Sequence, residues 1–232
     1  MNAKTILSLT VLSAVTAASA AVTTDNTLCR IEVASGTKNT IVAVPLKTIA
    51  GTGETIKLTD LVLTDNLVKD DYILHKGSNG WESWMVSAEG KWTSVAVSDA
   101  GVTTVSGPDT AMSRGDAFWL VRANASQPFY LYGEVIDTNA ANLTIGPGYT
   151  MMGNTALEPV AINSIKFNGT PKKGDKIAIA TTKGIGAKEY TYNGTEWTEA
   201  TLALDDNGVL RPTVKVTDAT IPAGQGFWYI SK

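Results

Sequence analysis

The sequence predicts an all-β protein: two tandem, related sandwich-like or barrel-like β domains behind a signal peptide. Three observations lead to this prediction. The second half of the chain repeats the first, strand-forming Thr, Val, Ile and aromatic residues recur between closely spaced turn signals, and the N-terminus has the pattern of a secretory leader. We therefore divide the 232 residues into a signal peptide (1–20), a first β domain (21–135), a linker (136–146) and a second β domain (147–232).

The repeat is clearest at the end of each half. Gly115–Val121 (GDAFWLV) reappears as Gly224–Ile230 (GQGFWYI), a shift of 109 positions (227 − 118). Upstream, Asp71 matches Asp175 at a shift of 104 (175 − 71), so the shift grows along the chain, as it does when loops gain residues. A unit of roughly 100 residues is too long for a solenoid repeat and suits one small domain copied in tandem.

Individual elements follow from local patterns. Residues 40–45 (TIVAVP) predict a strand that ends near its proline, and Asp71–His75 and Asp175–Ala180 predict short strands entered through acidic turns. Leu58–Val62 and Ile162–Ile165 each predict a single helical turn, because their apolar residues recur at i and i+3.

Two hairpins are expected at equivalent places. In the second half, Tyr190–Tyr192 is followed by Asn193-Gly194 and a strand through Trp197, and Asn-Gly supplies the positive φ that a tight hairpin turn needs. In the first half, Trp84–Ser87, Glu89-Gly90 and Trp92–Val97 predict the matching hairpin. Residues 213–216 (TVKV) alternate cleanly and predict a further strand.

The first twenty residues have the three parts of a signal peptide. Lys4 supplies the positive charge, Ile6–Val15 is an apolar run too short to span a bilayer, and Ala18–Ala20 supplies small residues for cleavage. The alternative is a buried N-terminal helix. We expect cleavage after Ala20 and a secreted, periplasmic or cell-surface protein.

Charge and cysteine content exclude several classes of partner and stabilisation. The formal net charge is −3, or −4 without Lys4, and the charges are scattered, which indicates no nucleic-acid stripe, no membrane span and no cationic membrane-surface helix. The single cysteine, Cys29, allows no internal disulfide. It could be a free thiol or an intermolecular bridge, but a buried small apolar residue is the simplest interpretation.

Catalytic residue sets are missing from the sequence. The single histidine, His75, has Ile179 as its counterpart in the second half, so that position tolerates an apolar residue. The chain has no Gly-x-Ser-x-Gly elbow, His-Glu-x-x-His helix or P-loop, and one His with one Cys cannot form the usual zinc site. Asp205–Gly208 (DDNG) clusters oxygens, but a hairpin turn explains it more simply than calcium. We predict a protein that is not an enzyme, with no catalytic residues, no metal and no cofactor.

Aromatic residues around the two hairpins are the best candidates for a ligand site. If exposed, their rings could stack on sugar rings; if buried, they are core residues. The candidates are Trp81, Trp84, Trp92, Tyr190, Tyr192 and Trp197, of which Trp81 is the best surface candidate because it follows the polar run 77–80 (GSNG). We expect Trp119 and Trp228, in the repeated GxxFW units, to be core anchors rather than ligand platforms.

The combined pattern resembles a group of secreted bacterial tandem β-repeat proteins that are known largely as uncharacterised sequences. The resemblance covers most of the mature chain and rests on short structural motifs: Ile41–Pro45, Leu58–Leu61, Asp70-Asp71 and Gly174-Asp175, Gly133–Val135, Met152–Asn154 and the closing Gly-x-Gly-Phe-Trp. It implies an exported or cell-surface protein and carries over no catalytic residue.

Three functions are compatible with the sequence. The first is a non-enzymatic structural or adhesive protein of the cell surface or envelope, with other surface proteins as partners. The second is a carbohydrate-binding protein that holds polysaccharide on the hairpin aromatics. The third and weakest is a glycosidase that uses two carboxylates, drawn from Asp70, Asp71, Glu82, Glu89, Asp175, Glu189 and Glu196.

Overall fold

The computed structural model describes most of the chain beyond the predicted signal peptide. The described residues are 28–33, 39–49, 53–62, 67–77, 80–98, 101–106, 111–123, 129–136, 141–180, 187–204 and 209–232. The predicted signal peptide and the Asp205–Gly208 turn lie outside them. Within these residues the protein is predominantly β, as predicted.

The first half forms one large sheet and two small ones. Its elements are β1 (Leu28–Val33), β2 (Asn39–Ala43), β3 (Leu46–Lys47), β4 (Thr55–Lys57), α1 (Leu58–Leu61), β5 (Tyr72–Gly77), β6 (Gly80–Val86), β7 (Trp92–Ser98), β8 (Gly101–Ser106), β9 (Ala111–Ser113), β10 (Ala117–Val121) and β11 (Phe129–Val135). The large sheet has the order β2-β10-β5-β6-β7-β8, and the small sheets are β1-β11-β3 and β4-β9.

The second half repeats the large sheet. Its elements are β12 (Leu143–Thr144), β13 (Tyr149–Gly153), β14 (Val160–Ala161), a 3₁₀ helix (Ile162–Ser164), β15 (Phe167–Asn168), β16 (Lys176–Ala180), β17 (Ala187–Tyr192), β18 (Trp197–Leu204), β19 (Leu210–Val216), β20 (Thr220–Ile221) and β21 (Gly226–Ile230). The large sheet has the order β13-β21-β16-β17-β18-β19, beside the pairs β14-β20 and β12-β15. Strand β12 lies inside the stretch predicted to be a linker, and its Leu143 is buried in the second core.

The two six-stranded sheets match strand for strand, and their turns match as well. The predicted hairpins β6–β7 and β17–β18 are both confirmed, with positive φ at Gly90 and Gly194. The two predicted helical turns are confirmed as α1 and the 3₁₀ helix. Before the third strand of each sheet, Asp70 and Gly174 both have positive φ.

Each half has its own core on one face of its large sheet. In the first half, Phe118 and Leu120 of β10 are buried there, together with Ile73 of β5. In the second, Phe227 and Tyr229 of β21 occupy the equivalent places. Because side chains alternate along a strand, Trp119 and Trp228 lie on the opposite faces of these two strands. They are half-buried, and therefore are not anchors of these two cores.

The two large sheets contact each other through these opposite faces. Two hydrogen bonds join them reciprocally: the Ala43 amide donates to the Gly224 carbonyl, and the Gly153 amide donates to the Gly115 carbonyl, both at 2.9 Å. Ala43 is equivalent to Gly153, and Gly115 to Gly224, so the two halves exchange roles as subunits do in an isologous interface. The rings of Trp119 and Trp228 meet across the same contact, 6.1 Å apart between centroids.

Small residues let the backbones approach at this contact. A Cβ built on Gly153 would lie 2.5 Å from the Ala43 Cβ and 2.9 Å from the Asp116 carbonyl oxygen. A Cβ built on Gly226 would lie 2.5 Å from Cγ2 of Ile41. All three distances are shorter than a Cβ atom tolerates, so the contact requires glycine at these positions.

A buried aspartate organises the start of the third strand in each sheet. Asp71 accepts hydrogen bonds from the amides of Val68 and Ala123, and Asp175 accepts them from the equivalent amides of Lys172 and Lys232. The two halves stabilise the charge of this carboxylate in different ways. In the first half Arg122 Nε lies 3.8 Å from Asp71, and in the second the Tyr229 hydroxyl donates a hydrogen bond to Asp175 at 2.6 Å. Burial by itself would raise the pKa of Asp175, but the hydrogen bonds from Tyr229, Lys232 and Lys172 outweigh it and lower that pKa below 3.8.

Replacing Gly153 should loosen the contact between the sheets. We expect Gly153→Ala to lower the free energy of unfolding by about 1–3 kcal/mol, since the new methyl group meets backbone atoms that cannot move aside. Urea unfolding measures this loss. The control is Gly53→Ala, whose Cβ would have no neighbour closer than 3.8 Å. Equal stability of the two variants would contradict the tight contact.

Removing the charge of Asp175 should destabilise the second half in a pH-dependent way. We expect Asp175→Asn to cost about 2–3 kcal/mol at pH 7, because an amide oxygen accepts more weakly and the amide group brings donors to a site made of donors. Since folding lowers the pKa of Asp175, its contribution is complete above the ordinary value of 3.8 and is lost as the pH falls through the lowered pKa. The difference between wild type and variant should therefore shrink in acid. The exposed Asp218→Asn is the control; a difference independent of pH would contradict this account.

Candidate functional site

The structure separates the six aromatic candidates by burial. Trp92, Tyr190 and Trp197 are buried in the two cores. Trp84 and Tyr192 are half-buried and pack against the same cores. Trp81 is 55% exposed and is the one member of the six that is largely in solvent. The six rings therefore do not form one surface.

Core packing explains the buried rings. The indole nitrogen of Trp92 donates to the Val62 carbonyl at 3.2 Å, which ties its strand to the end of α1. At the equivalent place the Asn163 side chain accepts from the Trp197 amide at 2.7 Å and so ties β18 to the 3₁₀ helix. Trp92 and Trp197 are thus equivalent core residues, and we leave them out of the candidate site.

Trp81 belongs to a different group of rings that joins the two halves. Trp228 lies at the centre, with the ring centroids of Trp81, Trp119 and Tyr149 at 6.3, 6.1 and 6.3 Å from its own. All three pairs have edge-to-face geometry, with interplanar angles of 61–82°. We call these four residues the aromatic cluster. Its outer members are Trp81 and Tyr149, and Tyr149 is 65% exposed.

A shallow polar hollow of about 400 Å³ lies beside Tyr149. The residues that line it with Tyr149 are Gly174, Lys176, Glu189, Ile230, Ser231 and Lys232. Lys176 Nζ and Glu189 Oε2 are 2.7 Å apart on neighbouring strands. The hydrogen bond to Glu189 raises the pKa of Lys176, so this ammonium group remains charged at neutral pH. The Ser231 hydroxyl oxygen accepts from the Gly148 amide, which leaves its own hydrogen to donate.

The outermost strands of the second large sheet form a ribbon with two unlike faces. Residues paired directly across β18 and β19 share a face, and the pairs Ala200–Val214, Leu202–Pro212 and Leu204–Leu210 are entirely apolar. These six residues and Val216 are exposed, with Leu202 at 67% and Val214 at 72%. We call this surface the apolar ribbon face.

The other face of the ribbon is polar. Glu199 accepts from Lys188 at 2.7 Å and from Lys215 at 2.9 Å, and these bonds lower the pKa of Glu199. The hydroxyls of Thr201 and Thr213 lie 2.9 Å apart on the same face. The ribbon is therefore a two-sided element whose apolar side faces solvent.

Most of the acidic candidates, and His75, make local interactions. His75 is half-buried on β5, with Nδ1 4.0 Å from Glu82 Oε2. Asp71 and Asp175 are buried and accept backbone hydrogen bonds, as described above. Glu189 pairs with Lys176, and the Glu89 carboxylate lies 2.8 Å from the Ser87 hydroxyl in a turn. None of these interactions places two carboxylates across a groove.

Two features are absent from the described ranges of the chain. Among the described residues, no group of three or more His, Cys, Asp or Glu side chains is placed to hold a metal ion. The same part of the chain contains no helix whose length and apolar character would carry it across a bilayer. Cys29 is half-buried, and burial raises the pKa of its thiol.

Comparison of the chain with protein-family models, curated proteins and solved structures found no match in any of the three. The candidate surfaces are therefore defined by the geometry of this chain.

Two candidate surfaces could not be predicted from the sequence. Tyr149 was not among the six candidates and Trp228 was interpreted as a core anchor, because distance along the chain concealed the contacts of Trp228 with Trp81 and Tyr149. The alternation of apolar residues in β18 and β19 was visible in the sequence, but alternation does not say which face is covered.

The two classes of tryptophan should differ in their effect on stability. We expect Trp197→Ala to lower the free energy of unfolding by about 3–5 kcal/mol, because it empties a buried volume. We expect Trp81→Ala to cost less than about 1 kcal/mol, since its ring is largely in solvent. Urea titration followed by circular dichroism measures both. Equal losses would show that Trp81 is a core residue.

Proposed function

We propose that this chain is an exported, non-enzymatic structural or adhesive protein of the cell surface or envelope that associates with further copies of itself through the apolar ribbon face. In this proposal, two tandem related β domains (21–135 and 147–232) follow a signal peptide that is cleaved after Ala20. The observation that carries it is the exposed apolar side of β18 and β19.

Exposure on this scale needs a partner. Soluble monomers rarely keep a contiguous apolar patch in water, and large ones mark interaction sites. The apolar ribbon face consists of three stacked cross-strand pairs, with no charged side chain among them. Charged residues at these positions would not destabilise the fold, because the positions are already in solvent. Their apolar character therefore suits a contact with another molecule.

The face of the ribbon, rather than its edge, is the suitable contact. β19 ends its sheet, and an open edge can add a further strand. Pro212 stands in the middle of β19 and has no amide hydrogen to donate, which disfavours a continuous added strand. Face-to-face packing of apolar side chains needs no backbone donor.

The ribbon face is also continuous with a surface that already packs in this way. Residues paired directly across neighbouring strands share a face of the sheet. Such pairs connect Tyr149, Ile230, Lys176, Thr191 and Thr198 in that order across the sheet. Trp228 lies two residues from Ile230 and Ala200 two residues from Thr198, so Trp228 and the ribbon face lie on the same side of the sheet. That side contacts the first sheet near Gly226 and extends beyond the contact at β18 and β19. A second copy would cover the remainder with the same kind of packing.

The sequence supports the rest of the proposal. The leader-like segment indicates export, and the catalytic motifs of common hydrolases are absent from the sequence. The resemblance to secreted bacterial tandem β-repeat proteins implies the same setting.

Analytical ultracentrifugation of purified 21–232 over a range of concentrations tests the association. We expect the sedimentation coefficient of the wild type to rise with concentration. In Leu202→Lys the midpoint should move to about tenfold higher concentration or more, because a charge would have to be buried in the contact.

The matched control is Thr201→Lys, the neighbouring residue on the polar face of the same strand. It should leave the association unchanged. A wild type that sediments as a monomer at every concentration would contradict the proposal. Equal weakening by both substitutions would assign the association to a different surface.

A further inference from the structure

The two outer rings of the aromatic cluster are not required by the repeated fold. The residue equivalent to Tyr149 in the first half is Asn39, because the shift of 110 (149 − 39) is the one that relates Ala43 to Gly153. The residue equivalent to Trp81 in the second half is Ala187, because the shift of 106 (187 − 81) is the one that relates Val86 to Tyr192. Asn39 and Ala187 serve the same sheet positions without a ring. Trp81 and Tyr149 therefore add something beyond folding.

These two rings are held in place rather than free to rotate into solvent. Both touch the edge or face of Trp228, and Trp119 contacts Trp228 from a third direction. The four rings come from four strands of two sheets, so the hydrogen bonding of the sheets fixes the position of the backbone that carries each ring. Rings that are fixed before a ligand arrives lose little conformational freedom on binding.

The polar hollow completes the chemistry of a site. It places an ammonium group, a carboxylate and a hydroxyl beside the ring of Tyr149, through Lys176, Glu189 and Ser231. These groups include both donors and acceptors. An apolar surface next to a few convergent polar groups is the general composition of a small-molecule site.

The ligand class that fits both parts is a carbohydrate. A pyranose ring has a face of C–H groups, which pack against the electron-rich face of an aromatic ring, and a rim of hydroxyls that both donate and accept. Lys176 and Glu189 pair at 2.7 Å and neutralise each other, so Lys232 is the remaining charged side chain of the lining. The Glu189 carboxylate would repel an anion, which favours an uncharged ligand. A chain of sugars would extend from the hollow past Tyr149 towards Trp81.

We propose that the aromatic cluster and the adjacent hollow form a binding site for a neutral oligosaccharide. Trp81 and Tyr149 supply the stacking surfaces, and Lys176, Glu189 and Ser231 hydrogen-bond the hydroxyls. The site uses residues of both large sheets, so it exists only when the two sheets are in contact. It is separate from the apolar ribbon face.

Isothermal titration calorimetry of 21–232 tests the site with defined probes. The probes are the hexasaccharides of β-1,4-linked glucose, N-acetylglucosamine, mannose and xylose, together with hexagalacturonate as a charged comparator. We expect saturable binding of at least one neutral hexasaccharide. Trp81→Ala and Tyr149→Ala should each weaken it by about tenfold or more, the loss expected for one stacked ring.

Two controls separate this result from unfolding and from the ribbon. Tyr132→Ala removes another half-buried aromatic, on β11, and should leave binding unchanged. Leu202→Lys should also leave it unchanged, so that failure of the association and failure of the sugar site can be distinguished. Circular dichroism establishes that each variant is folded.

Three outcomes would overturn the proposal. The first is no saturable heat with any neutral hexasaccharide. The second is binding that survives both Trp81→Ala and Tyr149→Ala. The third is binding of hexagalacturonate alone, which would assign the hollow to anions through its lysines.

Discussion

The close contact between the two large sheets is the constraint on which the rest of the structure depends. Gly153 and Gly226 allow two backbones to pass at a distance that any side chain would prevent, and the reciprocal amide–carbonyl bonds of Ala43 and Gly153 maintain that approach. Because the sheets meet there, Trp119 and Trp228 face each other rather than solvent. Trp81 and Tyr149 are then brought to the same centre from different halves of the chain.

The same contact explains why the molecule has exposed apolar surface. Each large sheet covers one of its faces with its own core, and the opposite face is covered only where the other sheet reaches. In the second sheet that cover includes the strands near Gly226 and ends before β18 and β19. The ribbon strands keep their apolar residues on that same side beyond the cover, and so the apolar ribbon face is left in water.

The sequence predicted the repeated elements well because their determinants are local. Asn193-Gly194 predicts its hairpin through backbone conformation alone, and the single turns at Leu58 and Ile162 follow from apolar spacing. Burial was harder to predict: Trp81 and Trp92 are both large aromatics beside a hairpin, yet Trp81 is exposed and Trp92 is in the core. The prediction that Trp119 and Trp228 are core anchors was wrong, because Phe118 and Phe227 occupy the core face of these strands and the tryptophans lie on the other.

By itself the sequence determined that this protein is all-β and that its two halves share one pattern of strands and turns, since turn residues and alternation act over a few neighbouring positions. The tertiary structure alone decided which rings meet and which apolar face stays uncovered. Those properties depend on contacts between residues far apart in the chain, such as Trp81 with Trp228 and Ala43 with Gly224. Local pattern can say that a strand has two unlike faces, but only the packing of one sheet on another selects the face that meets water.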